Sequence, residues 1–160
     1  MGKVLSRFGN GYPGAASRSI DNVIISMKNA NEADIPFGAA VFQKPNEVSC
    51  RAFNESTSTG DNFLGFAVRV PDKTPETYGS DEGVFTVNDP VDVLVRGSVV
   101  LQFTTAVVPG ASVYIRKADG KYVTEAGASG TTLLLPNVTV RTASDGNQCA
   151  EVVLTKRNLM

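Results

Sequence analysis

Apolar and polar positions alternate through much of the chain with a period of two, the repeat of a strand buried on one face. Val91, Val93 and Val95 share one face, with Asp92 and Leu94 on the other. Gly97 then marks a bend or bulge. Residues 98–108 continue as an almost unbroken apolar run, the pattern of a strand covered on both sides. Earlier strands are expected over 21–29, 37–43 and 63–70, the last ended by Pro71. Residues 71–81, with Pro71, Pro75, Tyr78 and Gly79, read as an exposed loop. Two later pairs of strand-like runs flank turns. Residues 112–117 and 121–125 bracket Asp119-Gly120; residues 133–141 and 149–156 bracket Ser144-Asp145-Gly146-Asn147. Asp-Gly between such runs is a hairpin signal, because glycine adopts positive φ without a side-chain clash. No dozen residues carry an apolar stripe at helical spacing.

The alternation fails at the start of the chain. Residues 1–20 are rich in Gly, Ser and Ala and carry Lys3, Arg7 and Arg18 with no acid. Such a segment cannot bury enough of itself to fold alone. It nevertheless places Leu5, Phe8, Tyr12 and Pro13 at intervals that a plain linker does not need. The expectation is an extended arm that orders by lying on another surface. The glycines of Gly9-Asn-Gly11-Tyr-Pro-Gly14 would let it approach a backbone closely. This divides the chain into an arm with the first strand, residues 1–36, and a β-rich core, residues 37–160.

Composition sharpens the fold class. Val, Ile and Thr supply 39 of 160 residues, and such β-branched side chains suit a pleated, half-buried surface. With 15 Gly and 8 Pro as punctuation, eight to ten short strands are expected. The fold class is all-β: a β-sandwich or jelly roll, or a small β-barrel, with an extended N-terminal arm.

Charge and candidate chemistry mostly exclude. The net charge is −1, so no bulk basic field holds nucleic acid or an anionic membrane. There is no His, which removes the commonest general base and metal ligand. A Ser or Cys nucleophile would lack its imidazole partner. The acid clusters Asp81 with Glu82 and Asp89 with Asp92 are the remaining catalytic option, and acids facing solvent in turns explain them more simply. They lack calcium-loop spacing, and neither Cys50 nor Cys149 sits in a C-x-x-C pair. No metal, cofactor or enzymatic activity is expected. Sequence leaves open whether the two cysteines bond, and two reduced thiols is the simpler reading. The glycines 9, 11 and 14 match a dinucleotide fingerprint only in form, with no preceding strand. Residues 1–6 fit the loose myristoylation pattern, and Asn54 and Asn137 head sequons that matter only in a secreted eukaryotic chain. With no apolar leader over 1–10 and no 18-residue apolar run, synthesis in the cytoplasm is expected.

An ordered series of segments carries a resemblance. It runs through Phe8-Gly-Asn-Gly-Tyr-Pro-Gly14, Ile35-Pro-Phe-Gly-Ala-Ala-Val41 and Asp61-Asn-Phe-Leu-Gly-Phe-Ala-Val-Arg69. It continues through Val91-Asp-Val-Leu-Val-Arg-Gly-Ser-Val99 and Gly110-Ala-Ser-Val-Tyr114 to Glu151-Val-Val-Leu154. In this order the segments resemble the capsid cement, or head decoration, proteins of tailed bacteriophages. The resemblance implies a structural virion protein that binds the outer surface of the expanded capsid and cements major capsid protein subunits together. It implies a homo-oligomer, dimer or trimer, with synthesis in the host cytoplasm. Arg7, Phe8, Tyr12, Pro13 and Arg18 are the candidate capsid-binding residues, since Arg and aromatic side chains dominate interface energies. The alternative is a phage tail or fibre module that recognises a host glycan, for which surface aromatics would be needed; the chain has no Trp and four Tyr.

Overall fold

A computed structural model describes residues 9–17, 19–30, 33–70 and 83–158. Among these residues twelve strands run in the order β1 (Ala16–Ser17), β2 (Val23–Asn29), β3 (Ile35–Pro36), β4 (Ala40–Gln43), β5 (Ser49–Ala52), β6 (Phe63–Ala67), β7 (Val84–Phe85), β8 (Pro90–Gln102), β9 (Ser112–Arg116), β10 (Tyr122–Val123), β11 (Thr132–Val140) and β12 (Cys149–Leu154). Two short 3-10 turns, Ser19–Asp21 and Gly60–Asn62, are the only helical elements among the described residues. The all-β expectation holds.

β8 is the spine. Its first half pairs with β2 on one side and β6 on the other. β2 pairs with β5, β5 with β4, and β4 with β6, so the five strands close into a ring. The β2–β5 contact is parallel and the other pairings are antiparallel. The second half of β8 pairs with β12, followed by β11, β9 and β10. A bridge from Tyr122 of β10 to Phe103, just past β8, curls this second sheet back on itself. The ring matches the small-barrel form, and the two sheets facing across a shared core give the two-layer build of a sandwich.

Gly97 is where β8 changes sheets. Its φ is +121°, a conformation that L side chains rarely adopt. The neighbouring Ser98 N–H leaves the ring ladder and donates to Asn22 Oδ1 at 3.0 Å. The bend read from the sequence is therefore the hinge between the layers.

The face assignments follow the pleat. Val91, Val93 and Val95 point into the ring with Met27, Val41, Cys50 and Leu64. Leu94 points the other way, into the larger core between the layers, with Phe42, Phe63, Phe66, Val99 and Leu101. The aromatic rings there meet edge-on or tilted, with centroids 5.4 Å apart for Phe63–Phe66 and 5.6 Å for Phe42–Phe63. That geometry opposes the positive ring edge to the negative face.

Several boundaries differ from expectation. The strand expected at 37–43 begins only at Ala40, because Phe37 and Gly38 turn the chain. The one expected at 63–70 leaves the ladder after Ala67. β5 carries no alternation and was not expected; it is a four-residue strand between two neighbours. The loop expected at 71–81 lies outside the described residues. Both Asp-Gly turns close hairpins: β9–β10 and β11–β12 are antiparallel. Cys50 and Cys149 are buried thiols that are not joined in a disulfide, and burial pushes the Cys50 thiol up to about 11.

Candidate functional site

The outer side of β8 explains the arm. Val100 lies in the doubly apolar run and points away from the inter-layer core, yet it is almost completely buried. Its cover is the chain start, where a Cβ on Gly11 would lie 3.6 Å from Val100 Cγ2, and the same segment pairs with the edge of β8. Gly14 N–H donates to the Val100 carbonyl at 2.9 Å, Val100 N–H donates to the Ala15 carbonyl at 3.0 Å, and β1 pairs Ala16 with Val99. Covering Val100 is worth about 2 kcal/mol in apolar area. Residues 9–17 thus lie along β8 of their own chain.

The root of this segment sits in a socket formed by the turn before β12. Asn10 Nδ2 donates to the carbonyls of Ala143 at 2.7 Å and Cys149 at 2.8 Å. Asn10 N–H donates to Asp145 Oδ2 at 3.1 Å. Asp145 Oδ1 meanwhile accepts from the N–H groups of Asn147 and Cys149, each at 2.9 Å. One carboxylate therefore shapes the turn and holds the arm root.

Further along, Gly14 packs on Gly38. A Cβ at Gly14, where φ is +78°, would come within 2.7 Å of Gly38 N. The Gly14 carbonyl also accepts from Arg69 N–H at 2.7 Å. The Arg69 guanidinium lies 5.0 Å from the Tyr12 ring centroid and 5.5 Å from that of Phe37. Such cation–ring contacts contribute about 0.5–2 kcal/mol each.

Of the five candidate residues, Tyr12 and Pro13 are described, and both are half-buried against the body of the chain. Arg7, Phe8 and Arg18 lie outside the described residues. Sequence reasoning missed Asn10, Arg69 and Asp145, which fix the described part of the segment. Asn10 and Asp145 are 135 positions apart, so no local pattern links them.

Two grooves flank the β9–β10 turn. One of about 800 Å³ runs past Thr104, Arg116 and Thr131; the other, of about 710 Å³, is floored by Phe37, Phe53 and Tyr122, with Pro13 at its wall. The wall between them is stiffened by Arg116, whose Nε donates to Asp119 Oδ1 at 3.0 Å. The Arg116 guanidinium holds the Asp119 carboxyl down to about 2. Tyr122 donates its hydroxyl to the Gly38 carbonyl at 2.7 Å, and burial raises its pKa.

The candidate acids are individually engaged. Asp89 Oδ2 accepts from Thr86 Oγ1 at 2.8 Å, and Asp92 Oδ1 accepts from Ser26 Oγ at 2.5 Å. Asp81 and Glu82 lie outside the described residues. Among the described residues no cluster of three or more Cys, Asp and Glu could hold a metal, and no helix is long and apolar enough to cross a membrane. The described Phe and Tyr rings are all buried or half-buried, so none forms the exposed platform that glycan stacking needs.

A family model for structural cement proteins, described by E217 gp24 and Pam3 gp6, matches residues 3–155. The chain belongs to the phage structural cement protein family. A cement protein has a structural, capsid-stabilising role in association with capsid proteins of the virion, and the match favours that role over a glycan-binding module. The fold agrees with a chain from a solved structure titled "The capsid of Myoviridae Phage XM1", at a TM-score of 0.75 and 17% identity over 97% of this chain and 96% of that one. No curated protein matches the chain.

Proposed function

We propose that this cement protein binds the outer surface of the expanded capsid, bridges neighbouring major capsid protein subunits, and acts as a homo-oligomer without catalysing a reaction. The observation that carries the reading is the family match over residues 3–155. A protein that binds the expanded lattice better than its precursor stabilises the expanded state by mass action. Repeated attachment on a lattice multiplies weak contacts into high avidity.

In this reading residues 1–8, with Lys3, Arg7 and Phe8, reach the capsid from a fixed root, and Arg18 adds a second basic contact. Tyr12 and Pro13 hold that root in place. Eight residues reach at most about 27 Å beyond Gly9. The test is truncation of residues 1–8, which spares the Gly14–Ser17 pairing with β8. The truncated chain is expected to keep its circular dichroism spectrum and melting temperature and to lose occupancy on expanded capsids. Unchanged occupancy would refute the role of the arm.

A further inference from the structure

Asn10 is the only Asn in the chain that Gly follows. Such a pair is chemically labile. Gly has no Cβ to shield its backbone nitrogen, so that nitrogen can reach the side-chain carbonyl carbon of the preceding Asn. The Asn10 side chain is fully committed. Nδ2 donates one N–H to the Ala143 carbonyl at 2.7 Å and the other to the Cys149 carbonyl at 2.8 Å. The Cys149 carbonyl also accepts from Asp145 N–H at 2.9 Å, and Asn10 N–H donates to Asp145 Oδ2 at 3.1 Å. The socket thus presents two carbonyl oxygens, with a carboxylate beside them. A carboxylate on residue 10 would have no proton to donate and would meet acceptors only.

The reacting nitrogen, by contrast, is unengaged. Gly11 N–H has no hydrogen bond among the described residues, and Gly11, at φ +105°, rests on the Val100 side chain. Ring closure requires this nitrogen to turn onto Asn10 Cγ and Nδ2 to leave. The docked segment opposes both steps, because Nδ2 is held at two points and Gly11 is packed. Yet the Asn10 bonds are exposed or part-buried. A root tied this way opens more often than the buried strands of the core do.

We infer that Asn10–Gly11 is a deamidation site gated by the socket, and that the reaction makes release of the arm root permanent. When the root lifts, Gly11 N attacks Asn10 Cγ. The new N–Cγ bond closes a five-membered imide, the Cγ–Nδ2 bond breaks, and the Gly11 proton leaves with Nδ2 as ammonia. Water then adds to the imide and opens it, leaving aspartate or isoaspartate at position 10. The sum is one water consumed and one ammonia released, with no oxidant or cofactor. The product cannot be reseated. Its carboxylate replaces two donors that the Ala143 and Cys149 carbonyls accept, beside the charge of Asp145. The isoaspartate form also adds a carbon to the backbone between the socket and the β1 pairing.

The test uses the full-length chain in neutral buffer, with no capsid. Peptide mapping by mass spectrometry follows loss of the Asn10 amide in the folded wild type, in Asp145→Ala, and in the wild type unfolded in denaturant. Loss is expected to be slowest in the folded wild type, about fivefold or more faster in Asp145→Ala, and fastest unfolded. Sub-denaturing urea opens the root without a substitution, so deamidation should rise in step with hydrogen exchange of Asn10 N–H even if Asp145→Ala does not fold. Asn10→Asp supplies the product directly. It is expected to keep the β spectrum and to speed exchange at the Gly14 and Val100 amides more than Asn10→Ala, which loses the donors without adding a charge. An Asn10 that stays intact in every folded sample while the unfolded chain deamidates would overturn the site. Rates that ignore both Asp145→Ala and urea would overturn the gating. An Asn10→Asp chain that exchanges no faster than Asn10→Ala would overturn the permanence of release.

Discussion

Asp145 joins the two ends of the chain through one carboxylate. It accepts Asn147 and Cys149 on one oxygen and Asn10 on the other, so removing it takes away three hydrogen bonds together, two of them part-buried. Leaving partly buried donors unsatisfied costs about 1–3 kcal/mol. Asp145→Ala is therefore expected to lower unfolding free energy by about that amount in a denaturant titration. Hydrogen exchange should also speed up at Asn10 before it does in β9. An unchanged midpoint would mean that the socket does not hold the arm root. The sequence marked Asp145 as a turn residue, which it is, because Asp-Gly chemistry is local. It could not mark the same residue as the arm's anchor, because that role depends on which strand end the fold brings to Asn10. Tyr12, a candidate interface residue, also packs its ring against Arg69 of its own chain. An aromatic beside a basic residue in space looks the same in sequence whether the contact lies within one chain or between two.

At the scale of elements, β8 was the most legible strand and the most informative. Val91, Val93 and Val95 were assigned to one face, and the structure puts all three inside the ring. The following apolar run, expected to continue to 108 as a doubly covered strand, ends at Gln102, with Val108 68% exposed; within it the chain start at Gly11 lies over the Val100 side chain. β5 was not legible because a short strand between two neighbours needs no alternation. β1, β3 and β7 are two-residue pairings, too short for any pattern. Gly97 provides the sharpest test of the two-layer design. An alanine there must hold a positive φ, and its Cβ would lie 2.8 Å from Asn22 Cα. Gly97→Ala is expected to cost about 1–3 kcal/mol, read as a lower denaturation midpoint. The loss should exceed that of Gly146→Ala, whose Cβ would meet nothing. Equal effects would remove Gly97 as the hinge.

For the whole molecule, the absence of His, the near-neutral charge and the β-rich pattern already pointed to packing and bracing. The family match turns that into membership among cement proteins. Fold class was legible because alternation, turn chemistry and β-branched content all agreed. The attachment surface was not, because a surface residue's partner leaves no periodic trace in the sequence. The structure adds a reason why arm truncation must stop at residue 8: further removal exposes Val100 and confuses loss of binding with loss of folding.

The most direct measurement of the central claim is co-sedimentation of the purified chain with expanded and unexpanded capsids of the parent phage, both assembled without it, followed by thermal disruption of the loaded shells. Saturable binding to expanded capsids, much weaker binding to unexpanded ones, and a higher disruption temperature for loaded shells are expected. Equal binding to both forms, or binding that leaves the disruption temperature unchanged, would contradict it.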